Sequence, residues 1–312
     1  MTTLRKEIAW GKLIAFAIFF GGLGGGSFII TTITSFVAPD LKEVMIYGSI
    51  IGVVSAVLCV LFFALEVGHP ERFLRLFLNF PSSMISFGTS VLVLIILLGL
   101  FYTTFYLPEL FPSLKPILPW YINIGLRQAL GVIMLILDFC LVGYTAFVLG
   151  AARANAFWET PLLPILFLAS GISTALATIG LTLTIFNSDQ IRMIHMIDVT
   201  DLYMLILEFG IVLSFVYSML FKPKEEAVIA ARALTRGSLK MWFWFGFIGI
   251  GLLIPAVIIG LLEFVGFNRP LVMVAMSSVI IGGLVMRYLI VTAGQLPLLE
   301  KEAREYARYG LL

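Results

Sequence analysis

Residues 143–177 read GYTAFVLGAARANAFWETPLLPILFLASGISTALA. An apolar run closes near residue 150, a short polar link carries Arg153, Trp158 and Glu159, and a second apolar run starts on Pro161 and is rich in small residues. Proline is tolerated in the first turn of a helix, where its missing N–H would have no intrahelical partner anyway. The stretch therefore reads as two long apolar helices on either side of a tight connection, a unit that recurs along the chain.

Of 312 residues, 61% are hydrophobic and 12% charged, and the mean hydropathy is +1.08. A water-soluble globule of that composition has too few polar groups to cover its surface, so lipid is the solvent for most of the chain. Eight runs have the length of a membrane span: about 13–37, 44–67, 84–107, 122–150, 161–186, 199–221, 241–265 and 270–293. In lipid every backbone N–H and C=O needs a partner within its own segment, which makes each run a helix and the fold class all-α. An even number of spans puts both termini on one face, side A, with the links after spans two, four and six. Side A collects fourteen of the lysines and arginines, whereas side B has Lys42, Lys115, Arg192 and Arg269, so side A is read as cytoplasmic. The first apolar run is followed by no small-residue cleavage site and is read as a retained span. A net charge of +2 without a basic patch gives no reason to expect nucleic acid as a partner.

Span one contains GGLGGGS at 21–27, and span five a milder echo, ASGIST at 169–174. Runs of small residues weaken a helix, so either close approach of a neighbouring helix or room for a flat ligand ring must favour them. With four spans between the two clusters, the chain reads as two four-helix bundles, residues 1–150 and 151–312. Trp10, Trp120, Trp158, Trp242 and Trp244 all fall at span ends, as an interfacial aromatic belt requires. The links after spans two and six and the last fifteen residues read as helices lying at the interface. Cys59 and Cys140 sit within apolar runs and read as buried, inert thiols, too few for an iron–sulfur cluster.

The two histidines, His69 and His195, fall on opposite faces and cannot share one haem iron, so no redox centre is expected within the chain. Ionisable residues at membrane depth are costly and mark sites or pathways. Asp138 lies in the middle of span four, six residues before Tyr144 and read as roughly on the same side. Glu66 is near the side A end of span two; Asp198, Asp201 and Glu208 enter span six from side B; Arg287 lies about two-thirds along span eight. Asp198 and Asp201 also have a plain reading as wet interfacial carboxylates, and Arg287 as a counter-ion. Together Asp138, Asp198, Asp201, Glu208 and Arg287 are candidates for a proton route from side B toward side A. A solute transporter is disfavoured, because no pair of clearly interrupted helices lies at mid-membrane.

The YT, TPLLP and SGIS elements of the opening stretch, LEVGHPERF at 65–73, and the C-terminal pair MWFWFGFIGIGLLIP and MRYLIVTAGQ resemble the polytopic membrane subunit of the polysulfide reductase and NrfD family. The resemblance is scattered over nearly the whole chain. It implies two four-helix bundles in a prokaryotic cytoplasmic membrane, acting as the quinone-reactive anchor of a respiratory oxidoreductase. In the family a tyrosine at the position of Tyr144 contributes to the quinone site, and the acidic residue matching Glu66 lies in the same region. A hydroxyl on an apolar ring suits a quinone carbonyl. Polysulfide reductase also uses a histidine and an asparagine on the first span, places held here by Ala17 and Ile14, so the implied partners of Tyr144 are Glu66, His69 or Asp138. The implied cofactor is an exchangeable quinone such as menaquinone. The implied partners are a four-cluster ferredoxin-like iron–sulfur subunit and a molybdopterin catalytic subunit, docked on side A about Arg72, Arg75, Arg153 and Trp158. Family members carry these subunits on the outer face, so the charge bias implies either a cytoplasm-facing member or cations that serve docking.

Overall fold

The computed structural model of the chain describes residues 11–68, 84–152 and 156–308. Its long helices are α1 (Leu13–Val37), α2 (Lys42–Val67), α3 (Met84–Thr103), α4 (Ile124–Ala152), α5 (Leu162–Phe186) and α6 (Ile191–Leu220). A shorter helix, α7 (Glu225–Thr235), precedes a π-helix, Trp242–Leu253, which runs directly into α8 (Ile254–Val265), and α9 (Arg269–Arg308) closes the chain. Eight segments are long and apolar enough to cross a membrane, and no strand occurs among the described residues. The chain is a multi-pass helical membrane protein.

The span predicted from about residue 199 begins earlier, at Ile191, because His195 and Asp198 ride on the first turns of α6 and are not in a link. Polar residues there imitate a loop in sequence, yet the neighbouring helices cover Asp198, which is 4% exposed. The link after α6 does hold the expected helix: Ala227, Ala230, Ala231 and Leu234 of α7 turn one apolar face into the protein. The C-terminal residues differ from expectation, since α9 continues from the eighth span through Pro297 to Arg308 without a break. The predicted interfacial helix after α2 lies outside the described residues, as do His69, Arg72, Arg75 and Arg153.

The seventh span is wider-wound than predicted. Pro255 has no N–H to offer the carbonyl of Gly251, and the twelve residues before α8 adopt i→i+5 bonding instead of the α pattern. Gly251 and Gly282 lie backbone to backbone where this segment meets α9; a Cβ on Gly251 would come 2.6 Å from the Gly282 Cα.

At the centre, α1 packs against α2, α4, α5 and α9. The glycine run is the reason it can. A Cβ on Gly171 of α5 would lie 2.9 Å from the carbonyl oxygen of Gly22, so the two backbones meet where a side chain has no room. The run is a helix-crossing surface, the first of the two readings offered by the sequence.

Two further expectations are modified. Trp120 donates to Thr104 Oγ1 at 2.9 Å and Trp242 and Trp244 are exposed, as belt residues should be, but Trp158 is buried against Gly294 and donates to the Ile290 carbonyl at 3.1 Å. Cys59 is buried, whereas Cys140 faces outward.

Candidate functional site

Toward side A the first four helices enclose a narrow apolar cleft of about 40 Å³. Ala17 and Ile18 come from α1, Cys59 and Phe63 from α2, Gly88, Thr89 and Leu92 from α3, and Leu141, Tyr144, Thr145 and Val148 from α4. Spacings of three and four residues place the α4 members on one face. The Tyr144 ring lies on Gly88, where a Cβ would overlap it, and Phe87 meets it edge-on at 6.5 Å between centroids. Thr145 donates to the Val142 carbonyl at 2.6 Å, which turns its methyl group toward Gly21. The cleft thus offers an aromatic hydroxyl and two threonines within an otherwise hydrocarbon wall. Ala17 is part of that wall; Ile14 is fully buried and absent from it.

Neither carboxylate expected beside Tyr144 lines the cleft. Glu66 caps the start of α1, accepting a hydrogen bond from the backbone N–H of Gly11. Asp138 is fully buried against Gly25 of α1, and its two carboxyl oxygens find no protein partner. Six residues turn an α-helix through about 600°, so Asp138 and Tyr144 point roughly 120° apart and not to the same side.

The other buried charges do converge. Asp198, Asp201 and Glu208 lie on one face of α6, three and seven residues apart, and all are buried. Facing them on α5, Ser173 Oγ donates to Asp201 Oδ1 at 2.7 Å, and Ser170 hydrogen-bonds Glu208. Ser170 also accepts from Arg287 Nη1 at 3.1 Å, and the same nitrogen donates to the Gly283 carbonyl at 2.9 Å. The guanidinium is fully buried, sits over Phe19 and Phe167 at 5.5 and 5.7 Å, and presses Nη2 against Gly22. Cation–π contact of this kind is worth about 2 kcal/mol when desolvated, comparable to the roughly 2.5–3.5 kcal/mol that an arginine costs at mid-membrane. At the side B end His195 Nδ1 approaches Glu263 Oε1 at 3.5 Å, and the Glu263 charge acts on Asp198. A row of ionisable groups therefore runs from the side B surface to the α1–α5 crossing, with Asp138 outside it on the far side of α1.

Sequence reasoning found the acids and Arg287 but not Ser170, Ser173, Phe19 or Phe167, which hold them. The ASGIST echo contained both serines, read only as small residues. A second group was also missed: Tyr106 donates to the Tyr102 hydroxyl at 2.9 Å, Thr32 Oγ1 approaches it at 3.4 Å, and Arg127 lies over the Tyr106 ring at 5.7 Å.

On side A, Lys222 Nζ donates to the carbonyls of Ala156 and Glu159 at 2.6 and 2.9 Å, and Lys224 pairs with Glu159 at 3.3 Å. Partial burial and neighbouring Lys224 hold the Lys222 ammonium below its ordinary pKa, against the opposing pull of Glu159. With Trp158 buried, these contacts pin the link after α4 to the second half. What Trp158 offers a partner is the position of that link, not its ring face.

Eight apolar helices, an apolar cleft bearing a tyrosine, and buried acids beside a buried arginine define a polytopic membrane protein with polar sites inside its bundle. The chain belongs to the polysulphide reductase NrfD family, whose model matches residues 1–298. It is 28% identical to the membrane component of the same family in Wolinella succinogenes, the C polypeptide of polysulfide reductase, over 93% of this chain and 95% of that one. It is 24% identical to the NrfD protein of Escherichia coli, over 93% and 96% of the two sequences. It is 23% identical to the C polypeptide of the selenate reductase of Mesobacillus selenatarsenatis, over 93% and 75%.

Proposed function

We propose that this chain is the quinone-interacting membrane subunit of a respiratory reductase complex. The observation that carries the reading is the Tyr144 cleft: an apolar slot near one membrane face with a hydroxyl able to donate to a quinone carbonyl. In its present form the cleft is narrower than a quinone ring, and the partly exposed Phe63 is the wall side chain able to turn aside. A quinol bound there would pass its two electrons to an iron–sulfur subunit docked on side A, in turn serving a catalytic subunit. Support comes from family membership and from relatives named as components of polysulfide and selenate reductases. Quinol oxidation by the purified complex tests the reading. Tyr144→Phe is expected to slow it, and an unchanged rate would put the quinone elsewhere.

A second reading can coexist with the first. The row Asp198, Asp201, Glu208 and Arg287 is the observation that favours it, as a proton route from side B that couples electron transfer to a gradient. Loss of proton yield per electron in liposomes on Asp201→Asn, with quinol oxidation retained, is its expected signature.

A further inference from the structure

The helices of the two halves keep a residue-level register. α1 and α5 are both 25 residues long and begin 149 positions apart, at Leu13 and Leu162. α2 and α6 begin at the same spacing, at Lys42 and Ile191. Contacts between helices repeat at that offset as well. Gly21 faces Cys59 as Ser170 bonds Glu208; Gly24 faces Gly52 as Ser173 bonds Asp201; Gly48 faces Thr31 as Ile197 faces Gly180. Asp138 and Arg287, buried charges of α4 and α9, are mates under the same shift. Gly22 and Gly171, also mates, touch each other at the α1–α5 crossing, as residues beside a twofold axis do.

The cavities obey the register too. The Tyr144 cleft is walled in part by Ala17, Phe63 and Leu141. Their mates are Leu166, Val212 and Ile290, and these three wall a second cavity that retains only about 10 Å³. Leu166 takes the space that Ala17 leaves open, Phe247 enters from the π-helix, and Ala293 stands where the first half has Tyr144. One copy is therefore open with a hydroxyl on its wall, and the other is filled and has none at that position.

We propose that the chain holds two quasi-equivalent cavities of which one takes a ligand, and that side-chain bulk at the paired positions 17 and 166 decides which. The inference rests on the quinone reading and assigns Ala17 as the residue that keeps the quinone cleft open. The test titrates a fluorescent hydroxyquinoline N-oxide, a quinol analogue, against the purified full chain and reads stoichiometry and affinity by quenching. The unaltered chain is expected to bind one equivalent. Ala17→Leu is expected to weaken binding at least tenfold, and the double substitution Leu166→Ala with Phe247→Ala to add a second, weaker site. Thermal unfolding checks that each variant is folded, with Ala17→Val and Leu166→Ala alone as milder replacements. No binding to the unaltered chain overturns the quinone reading and this inference with it. One equivalent that survives the change at Ala17, and is not raised by the changes at Leu166 and Phe247, overturns this inference alone.

Discussion

Gly22 and Arg287 are matched across the α1–α9 interface: a Cβ added at residue 22 would lie 2.5 Å from Nη2 of the buried guanidinium. The arginine is held there by Ser170, the Gly283 carbonyl and two phenylalanine faces, so it has little freedom to retreat. Gly22→Ala is therefore expected to destabilise the protein by about 1–3 kcal/mol through overpacking. Gly143, with nothing within 4 Å of an added Cβ, is the control. Gly143→Ala should be neutral or stabilise by up to about 1 kcal/mol, since alanine is the better helix former. Thermal unfolding in detergent compares the two.

Tyr144 and Gly88 form a ring and its seat, which permits two independent perturbations of the cleft. Tyr144→Phe keeps the ring and removes the hydroxyl; Gly88→Ala keeps the hydroxyl and displaces the ring. Each is expected to lower quinol oxidation by about tenfold, the worth of one hydrogen bond of roughly 1.4 kcal/mol. A Gly88→Ala complex with full activity would mean that the seated position of the ring does not matter.

In the acid row, Asp201→Asn should preserve the fold, because Ser173 Oγ can still donate to the amide oxygen. The same holds for Glu208→Gln beside Ser170. Both variants are expected to oxidise quinol in detergent at near the unaltered rate while moving fewer protons per electron in sealed liposomes. Equal proton yields in variant and parent would remove the row from any proton route.

Trp158 and Lys222 hold one link from two directions, through the Ile290 carbonyl and through the carbonyls of Ala156 and Glu159. Trp158→Phe should cost about 1 kcal/mol for the lost hydrogen bond. Lys222→Met is expected to speed tryptic cleavage at Arg153, with the helical content by circular dichroism unchanged. Cleavage at the parental rate would show that Lys222 does not restrain the link.

The positions of the spans were legible in the sequence because lipid leaves the backbone no alternative. A run such as residues 162–186 must be helical wherever it packs, and its ends are marked by polar residues and Pro161. That logic failed where a polar residue was covered by protein and not by water. His195 and Asp198 looked like a link for this reason, although α6 already begins at Ile191. It failed again at Trp242–Leu253, since the winding of a helix ahead of Pro255 leaves no mark in hydropathy. The cleft was half legible. Tyr144 was chosen through a family resemblance, but its surroundings belong to four helices whose rotation about their own axes hydropathy does not report.

Composition and periodicity alone determined that this protein is a bundle of eight lipid-spanning helices, and that its rare interior charges matter. Both follow from the cost of unpaired polar groups in hydrocarbon, which each segment must meet by itself. Only the tertiary structure decided which charges meet. It set Asp138 apart from Tyr144, joined Glu208 to Arg287 through Ser170, and turned a glycine run into the surface where α1 crosses α5. Such pairings depend on how each helix is rotated and how closely its backbone approaches the next, and those quantities are fixed by side-chain packing between segments distant in the chain.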